Sequence, residues 1–183
     1  MNSHCDWKFN TACAFVLKWE GQISDSHGDW ESPSDPGGQT KFGISSRFFP
    51  EVRKREFSEA DAIAIYKEKY WTACKCEELP EALAFMLFDA AVNQGQTQAI
   101  RMLQRTLSIP ADGIVGPETV AAAGLAMVVT TLADFAARRT FVYGCIPTFQ
   151  RFGLGWQRRA IACLIQALTM APVGARGAGL ASS

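Results

Sequence analysis

Apolar residues in this chain recur mostly at helical spacing, and one long polar stretch near the N-terminus interrupts them. Trp7, Cys13, Val16 and Leu17 fit one helix that ends near Gly21. Residues 21–50 lose the periodicity and are punctuated by glycines and by Pro33, Pro36 and Pro50, which predicts a loop or small β lobe. Ser58, with Asp61 three positions on, reads as a helix N-cap. Ala62, Ile63, Ile65, Tyr66, Tyr70 and Trp71 then supply the apolar face of a helix over 58–71.

Pro80 opens the next helix, which runs through Leu83, Phe85, Leu87, Phe88 and Val92 and is apolar nearly all round, the pattern of a buried central helix. It stops at Asn93-Gln94-Gly95, where glycine suits a C-cap. Ile100, Leu103 and Leu107 predict a helix over 97–107, Asp112-Gly113 a turn, and Pro117 another helix start. Two further helices are predicted over 127–143 and 155–168. Residues 171–183 are small and glycine-rich, the composition of a flexible tail. The predicted architecture is mainly α, a helical body with a small irregular or β lobe.

At 183 residues, 48% hydrophobic and 20% charged, the chain is sized and composed as one globular domain. Its longest apolar stretches fall short of the roughly 20 residues that span a bilayer, and residues 1–18 lack the basic start and apolar core of a secretory signal. Membrane insertion is therefore not expected, and neither is a nucleic-acid partner. Net charge is zero but unevenly placed: residues 1–97 carry 10 Lys+Arg against 15 Asp+Glu, and residues 98–183 carry 8 against 3. Arg138, Arg139, Arg151, Arg158 and Arg159 are thus candidates for holding a polyanionic surface. The six cysteines make neither a dense disulfide framework nor a paired zinc pattern. Neither a metal nor a cofactor is expected.

Candidate chemistry concentrates at Glu20, which closes the first apolar run at the C-terminal lip of its helix. Gly21 follows, then Asp25, Asp29, Glu31 and Asp35, the layout of acid/base chemistry in a cleft. Phe15 and Trp19 lie beside Glu20 in sequence and offer it a dry setting. These features point to an enzyme.

Trp19-Glu20-Gly21-Gln22 followed by Asp35-Pro36-Gly37-Gly38-Gln39-Thr40-Lys41-Phe42-Gly43-Ile44 resembles the phage-type N-acetylmuramidases of glycoside hydrolase family 108. Further stretches agree: the I-Y-x-x-x-Y-W segment at 65–71, D-x-x-x-N-x-G at 89–95, and F-x-x-G-W-x-x-R at 152–159. L-Q-x-x-L at 103–107 with D-G-x-x-G-P-x-T at 112–119 resembles the peptidoglycan-binding segment downstream in those enzymes. The resemblance implies a lysozyme-like fold. Residues 1–170 would be one catalytic domain, with a catalytic part at 6–95 and a helical peptidoglycan-binding part at 96–170.

The resemblance also implies roles. Glu20 would be the general acid, Asp35 the second carboxylate and Thr40 a hydroxyl that positions water. Gly38 would let the backbone approach the sugar, while Asn93 and Asp89 would contact substrate. Two departures stand out: Gln22 replaces the second glycine of the family's E-G-G, and fifteen positions separate Glu20 from Asp35. The extra segment at 26–31 carries Trp30, whose ring could stack on a sugar, and it leaves Asp29 and Asp25 as alternatives to Asp35. Asp112 and Thr119 have a simpler role open to them, ordering their own loop.

The expected function is that of an endolysin: hydrolysis of the β-1,4 bond between N-acetylmuramic acid and N-acetylglucosamine by a monomer. It would accumulate in the host cytoplasm and reach the wall through a pore made by another protein. A catalytically silent binding module and a lytic transglycosylase are the alternatives.

Overall fold

The computed structural model describes residues 3–24, 40–53 and 56–172. Seven α-helices and one two-stranded sheet occur among them, and the chain divides into two compact units, Met1–Lys69 and Tyr70–Ser183.

In the first unit, α1 spans Ser3–Ser24 and buries Phe9, Ala12, Cys13 and Val16, which repeat every three to four residues along one stripe. The helix passes through Gly21 and ends three residues later than the sequence pattern suggests. A glycine costs a helix about 1 kcal/mol relative to alanine, which a packed helix tolerates. After the undescribed residues 25–39, β1 (Thr40–Lys41) and β2 (Ile44–Ser45) pair antiparallel, Thr40 opposite Ser45 and Lys41 opposite Ile44. Among the described residues of the lobe expected within 21–50, this hairpin supplies the β structure, followed by a 3-10 turn at Pro50–Arg53.

Helix α2 covers Glu59–Tyr66. Its capping box is complete: Asp61 N–H donates to Ser58 Oγ at 3.3 Å, and Ser58 N–H donates to Asp61 Oδ2 at 2.8 Å. The expected helix over 58–71 does not stay α. It widens into a π-helix over Lys67–Thr72, and Trp71 is fully buried in that turn. The Trp71 Nε1–H donates to Glu77 Oε1 at 3.3 Å, and its ring meets Phe88 edge-on at 5.6 Å. Register matched to tertiary packing thus overrides the local α pattern.

The second unit is built around α3 (Glu81–Gln94), buried continuously from Ala82 to Ala91. Helices α4 (Gln96–Thr106), α6 (Val128–Gly144) and α7 (Phe149–Met170) all touch it, so the all-round apolar pattern reads correctly as the central helix. Gly95 separates α3 from α4 at φ 86°, a left-handed value that suits glycine. Helix α5 (Pro117–Leu125) begins at Pro117 as expected. Helix α7 starts six residues before its predicted 155, so the glycines of F-x-x-G-W lie inside a helix instead of between two. Gly153 has a packing reason to be there: a Cβ would stand 2.5 Å from the Phe149 ring one turn earlier. No described helix is long and apolar enough to cross a membrane.

Candidate active site

Glu20 follows Val16 by four positions on α1, which places it at the end of the stripe formed by Phe9, Ala12, Cys13 and Val16. It is half-buried, a carboxylate carried on the apolar face of its helix. Phe15 and Trp19 pair with each other instead, ring centroids 6.2 Å apart, and helical geometry turns Trp19 about 100° from Glu20.

What meets Glu20 is the tip of the hairpin. A Cβ built on Gly43 would lie 2.5 Å from Glu20 Cγ, 2.6 Å from its Cβ and 2.8 Å from Oε2. No side chain fits between the hairpin backbone and the carboxylate. Gly43 also has φ 77°, so two independent constraints call for glycine there. Thr40, exposed at the start of β1, belongs to this same hairpin.

The hairpin turn is unusual. Its two central residues, Phe42 and Gly43, both have positive φ, 51° and 77°, the signature of a type I′ turn. Holding a phenylalanine in the left-handed region costs about 1–2 kcal/mol. Two contacts oppose that strain: the Tyr66 hydroxyl donates to the Phe42 carbonyl at 2.9 Å, and the Phe42 and Phe57 rings pair at 6.4 Å.

Of the other expected site residues, Asp35, Trp30 and Gly38 lie outside the described residues, as do the alternatives Asp25 and Asp29. Asn93 is half-buried near the end of α3, and the Tyr143 hydroxyl donates to its Oδ1. Tyr143 stacks on Trp156 at 5.4 Å, so an aromatic pair sets the orientation of the Asn93 amide.

Asp89 is not placed for the substrate contact expected of it. Its side chain is 1% exposed, Oδ2 accepts from Arg139 Nη2 at 2.7 Å, and Oδ1 accepts from Arg159 Nε at 2.9 Å. Burial alone would raise the Asp89 carboxyl, but the two guanidiniums outweigh it and hold the group below its ordinary range. Arg139 also donates from Nε to Gln94 Oε1 at 3.0 Å. These contacts correct a second expectation: Arg139 and Arg159 are core ions, and only Arg138, Arg151 and Arg158 of the five arginines are exposed.

Asp112 and Thr119 prove to order their loop, gathered by the buried Gln104. Gln104 Nε2 lies 2.7 Å from Asp112 Oδ1, 3.0 Å from the Ile114 carbonyl and 3.2 Å from Thr119 Oγ1, while its Oε1 accepts from Gly113 N–H at 2.8 Å. No group of three or more His, Cys, Asp or Glu suited to a metal ion occurs among the described residues.

Residues 13–95, which contain Glu20, the hairpin and Asn93, match the family model for glycosyl hydrolase 108. The match supports a glycoside hydrolase, and the family it names implies hydrolysis of peptidoglycan as an N-acetylmuramidase. The structure of SagA from Brucella abortus is similar to this chain with a TM-score of 0.75 and 27% sequence identity, over 96% of this chain and 99% of that one. The lysozyme-like, mainly helical fold expected from the motifs is therefore the fold observed. No curated protein sequence matches the chain. The sequence motifs single out Glu20 as the candidate carboxylate, but not the parts of the fold that seat it. The positive-φ pair Phe42-Gly43 and the clamp from Tyr66 carry no local signal beyond the F-G dipeptide.

Proposed function

We propose that this domain cleaves the β-1,4 bond between N-acetylmuramic acid and N-acetylglucosamine, with Glu20 as the general acid. The observation that carries the reading is Glu20 on the apolar face of α1, seated against the backbone of a hairpin that begins with Thr40. Glycoside hydrolysis needs one carboxylic acid to protonate the leaving oxygen, and a second carboxylate to activate water or stabilise the cationic transition state. Glu20 is held where its headgroup has a single packed backbone on one side, which restricts its rotamers before substrate arrives. Asp35, from the motif, takes the second role, with Thr40 positioning the water. Asn93, oriented by Tyr143, donates its amide to substrate, and Trp30 and Gly38 complete the sugar contacts on the strength of the motif.

The same motifs support an endolysin of phage or prophage origin. Such a protein would act as a monomer, accumulate in the host cytoplasm and gain the wall through a separate pore-forming protein. The exposed Arg138, Arg151 and Arg158, together with the segment at 103–119, would hold the polyanionic wall.

The test is clearing of purified peptidoglycan by the wild type and by Glu20→Gln, with released ends identified by mass spectrometry. Reducing muramic acid ends in the wild-type digest, lost in Glu20→Gln, are the expected result. Anhydro-muramic ends would indicate a lytic transglycosylase, and wall binding without turnover in either protein a binding module. Clearing that survives in Glu20→Gln would remove Glu20 from the acid role.

A further inference from the structure

Phe42-Gly43 is a dipeptide whose local chemistry favours a different turn from the one it adopts. A type II turn needs positive φ only at its second central residue, where Gly43 supplies it without strain. The observed turn is type I′, with Phe42 itself at φ 51°. The two forms share the φ of Gly43 and differ in φ and ψ of Phe42, so the Phe42 carbonyl stays on the same side of the turn while the Phe42 side chain points differently relative to it; a hold on carbonyl and ring together distinguishes them. That carbonyl is the group to which the Tyr66 hydroxyl donates, at 2.9 Å.

Both ends of α2 hold the same turn residue. Phe57, just before the Ser58 N-cap, packs its ring on Phe42, and Tyr66, the last residue of α2, binds its carbonyl. Tyr66 and Phe57 are both buried, and the Ser58–Asp61 capping box fixes where the helix begins. The turn so fixed presents Gly43 to Glu20 at a distance that leaves no space for a single added carbon.

We propose that Tyr66 is a positioning residue for the acid: by holding the Phe42 carbonyl while Phe57 holds its ring, it fixes Phe42 in the type I′ turn, and the turn sets the seat of Glu20. The inference rests on Glu20 being the acid. Tyr66 itself touches no reacting atom. It acts through Phe42 and Gly43, and its loss lets the turn relax toward type II and withdraws the backbone from the carboxylate.

The experiment compares Tyr66→Phe, Phe42→Asn, the double variant and Glu20→Gln on soluble peptidoglycan fragments, with kcat and KM measured separately and melting followed in parallel. Tyr66→Phe removes one oxygen and keeps the ring. It is expected to lower kcat by about 10- to 100-fold with KM little changed. Asn tolerates the left-handed region and Asn-Gly is a preferred type I′ pair, so adding Phe42→Asn to Tyr66→Phe is expected to restore most of the lost kcat. A role in stability alone would give no such rescue. Wild-type kcat in a folded Tyr66→Phe, or a loss that Phe42→Asn leaves unrepaired, overturns the proposal. If Tyr66→Phe does not fold, the double variant decides: near-wild-type kcat supports selection of the turn, and low kcat in a folded double variant overturns it. Loss of turnover in Glu20→Gln beside an unaffected Tyr66→Phe would overturn the positioning role alone, whereas turnover retained in Glu20→Gln would overturn the acid assignment and the positioning role with it.

Discussion

Gly43 and Glu20 are packed so closely that a methyl group on the glycine would stand 2.5 Å from the glutamate Cγ. The contact joins the last stretch of α1 to the tip of a two-residue hairpin turn, and it converts a helix-end carboxylate into one with a defined seat. Gly43→Ala should therefore displace Glu20 or the turn. Turnover is expected to fall by about 100-fold, while the left-handed φ of 77° adds about 1–2 kcal/mol of lost stability. Kinetics and chemical denaturation of the same variant separate the two effects; an active Gly43→Ala enzyme would contradict the close seat.

The Asp89 cluster predicts an acid-sensitive second unit. Removing the shared anion leaves Arg139 and Arg159 buried without it, so Asp89→Asn should cost about 3–5 kcal/mol at pH 7. Arg139 and Arg159 hold the folded carboxyl below the ordinary value of about 3.9, against burial. Its contribution is thus fully present above about pH 4 and is lost as pH falls through the lower folded value. Denaturation between pH 7 and 2.5 should show a steeper loss in the wild type than in Asp89→Asn. Parallel curves would show that Asp89 is not the group responsible.

Gln104 holds four groups of the 112–119 loop at once. Gln104→Leu preserves bulk but strands the Gly113 N–H and frees Asp112, so stability should fall by about 2–3 kcal/mol. A melting temperature lower by about 5–10 °C is the expected readout. An unchanged melt would mean the loop orders itself without Gln104.

Thiol reactivity should sort by burial. Burial pushes the Cys74 thiol up to about 12 and, with the charge of Glu59 adding to it, the Cys13 thiol up to about 11. It pushes Cys76 and Cys163 well up too. Cys145 is exposed at the end of α6. Brief alkylation of the folded protein at pH 8, mapped by peptide mass spectrometry, should, among these five described thiols, modify Cys145 first and the four buried ones only on unfolding. Rapid labelling of Cys74 or Cys76 would contradict the packing around α3.

Wall retention should depend on salt through the exposed cations alone. Arg138→Ala, Arg151→Ala and Arg158→Ala combined, in the Glu20→Gln background, are expected to weaken sedimentation with peptidoglycan and to flatten its decline with NaCl. A salt profile identical to that of Glu20→Gln would assign retention to uncharged contacts.

The order of helices, the buried character of α3, the capping box at Ser58 and the candidate acid at Glu20 were all legible in the sequence, because each depends on residues within a few positions of one another. Periodicity, caps and short motifs are local quantities, and local quantities survive in a linear reading. What happens to a charged group depends on distant partners. Asp89 and Asn93 sit one turn apart on α3, yet Arg139 and Arg159 from α6 and α7 convert the first into a core anion, while Tyr143 orients the second. Trp71 drew its helix into a π turn because its burial outweighed the local α preference. Gly43 carried a turn signal, but only the folded chain could show Glu20 filling the space where its side chain would be, and Tyr66 reaching back 24 residues to hold the strained carbonyl beside it.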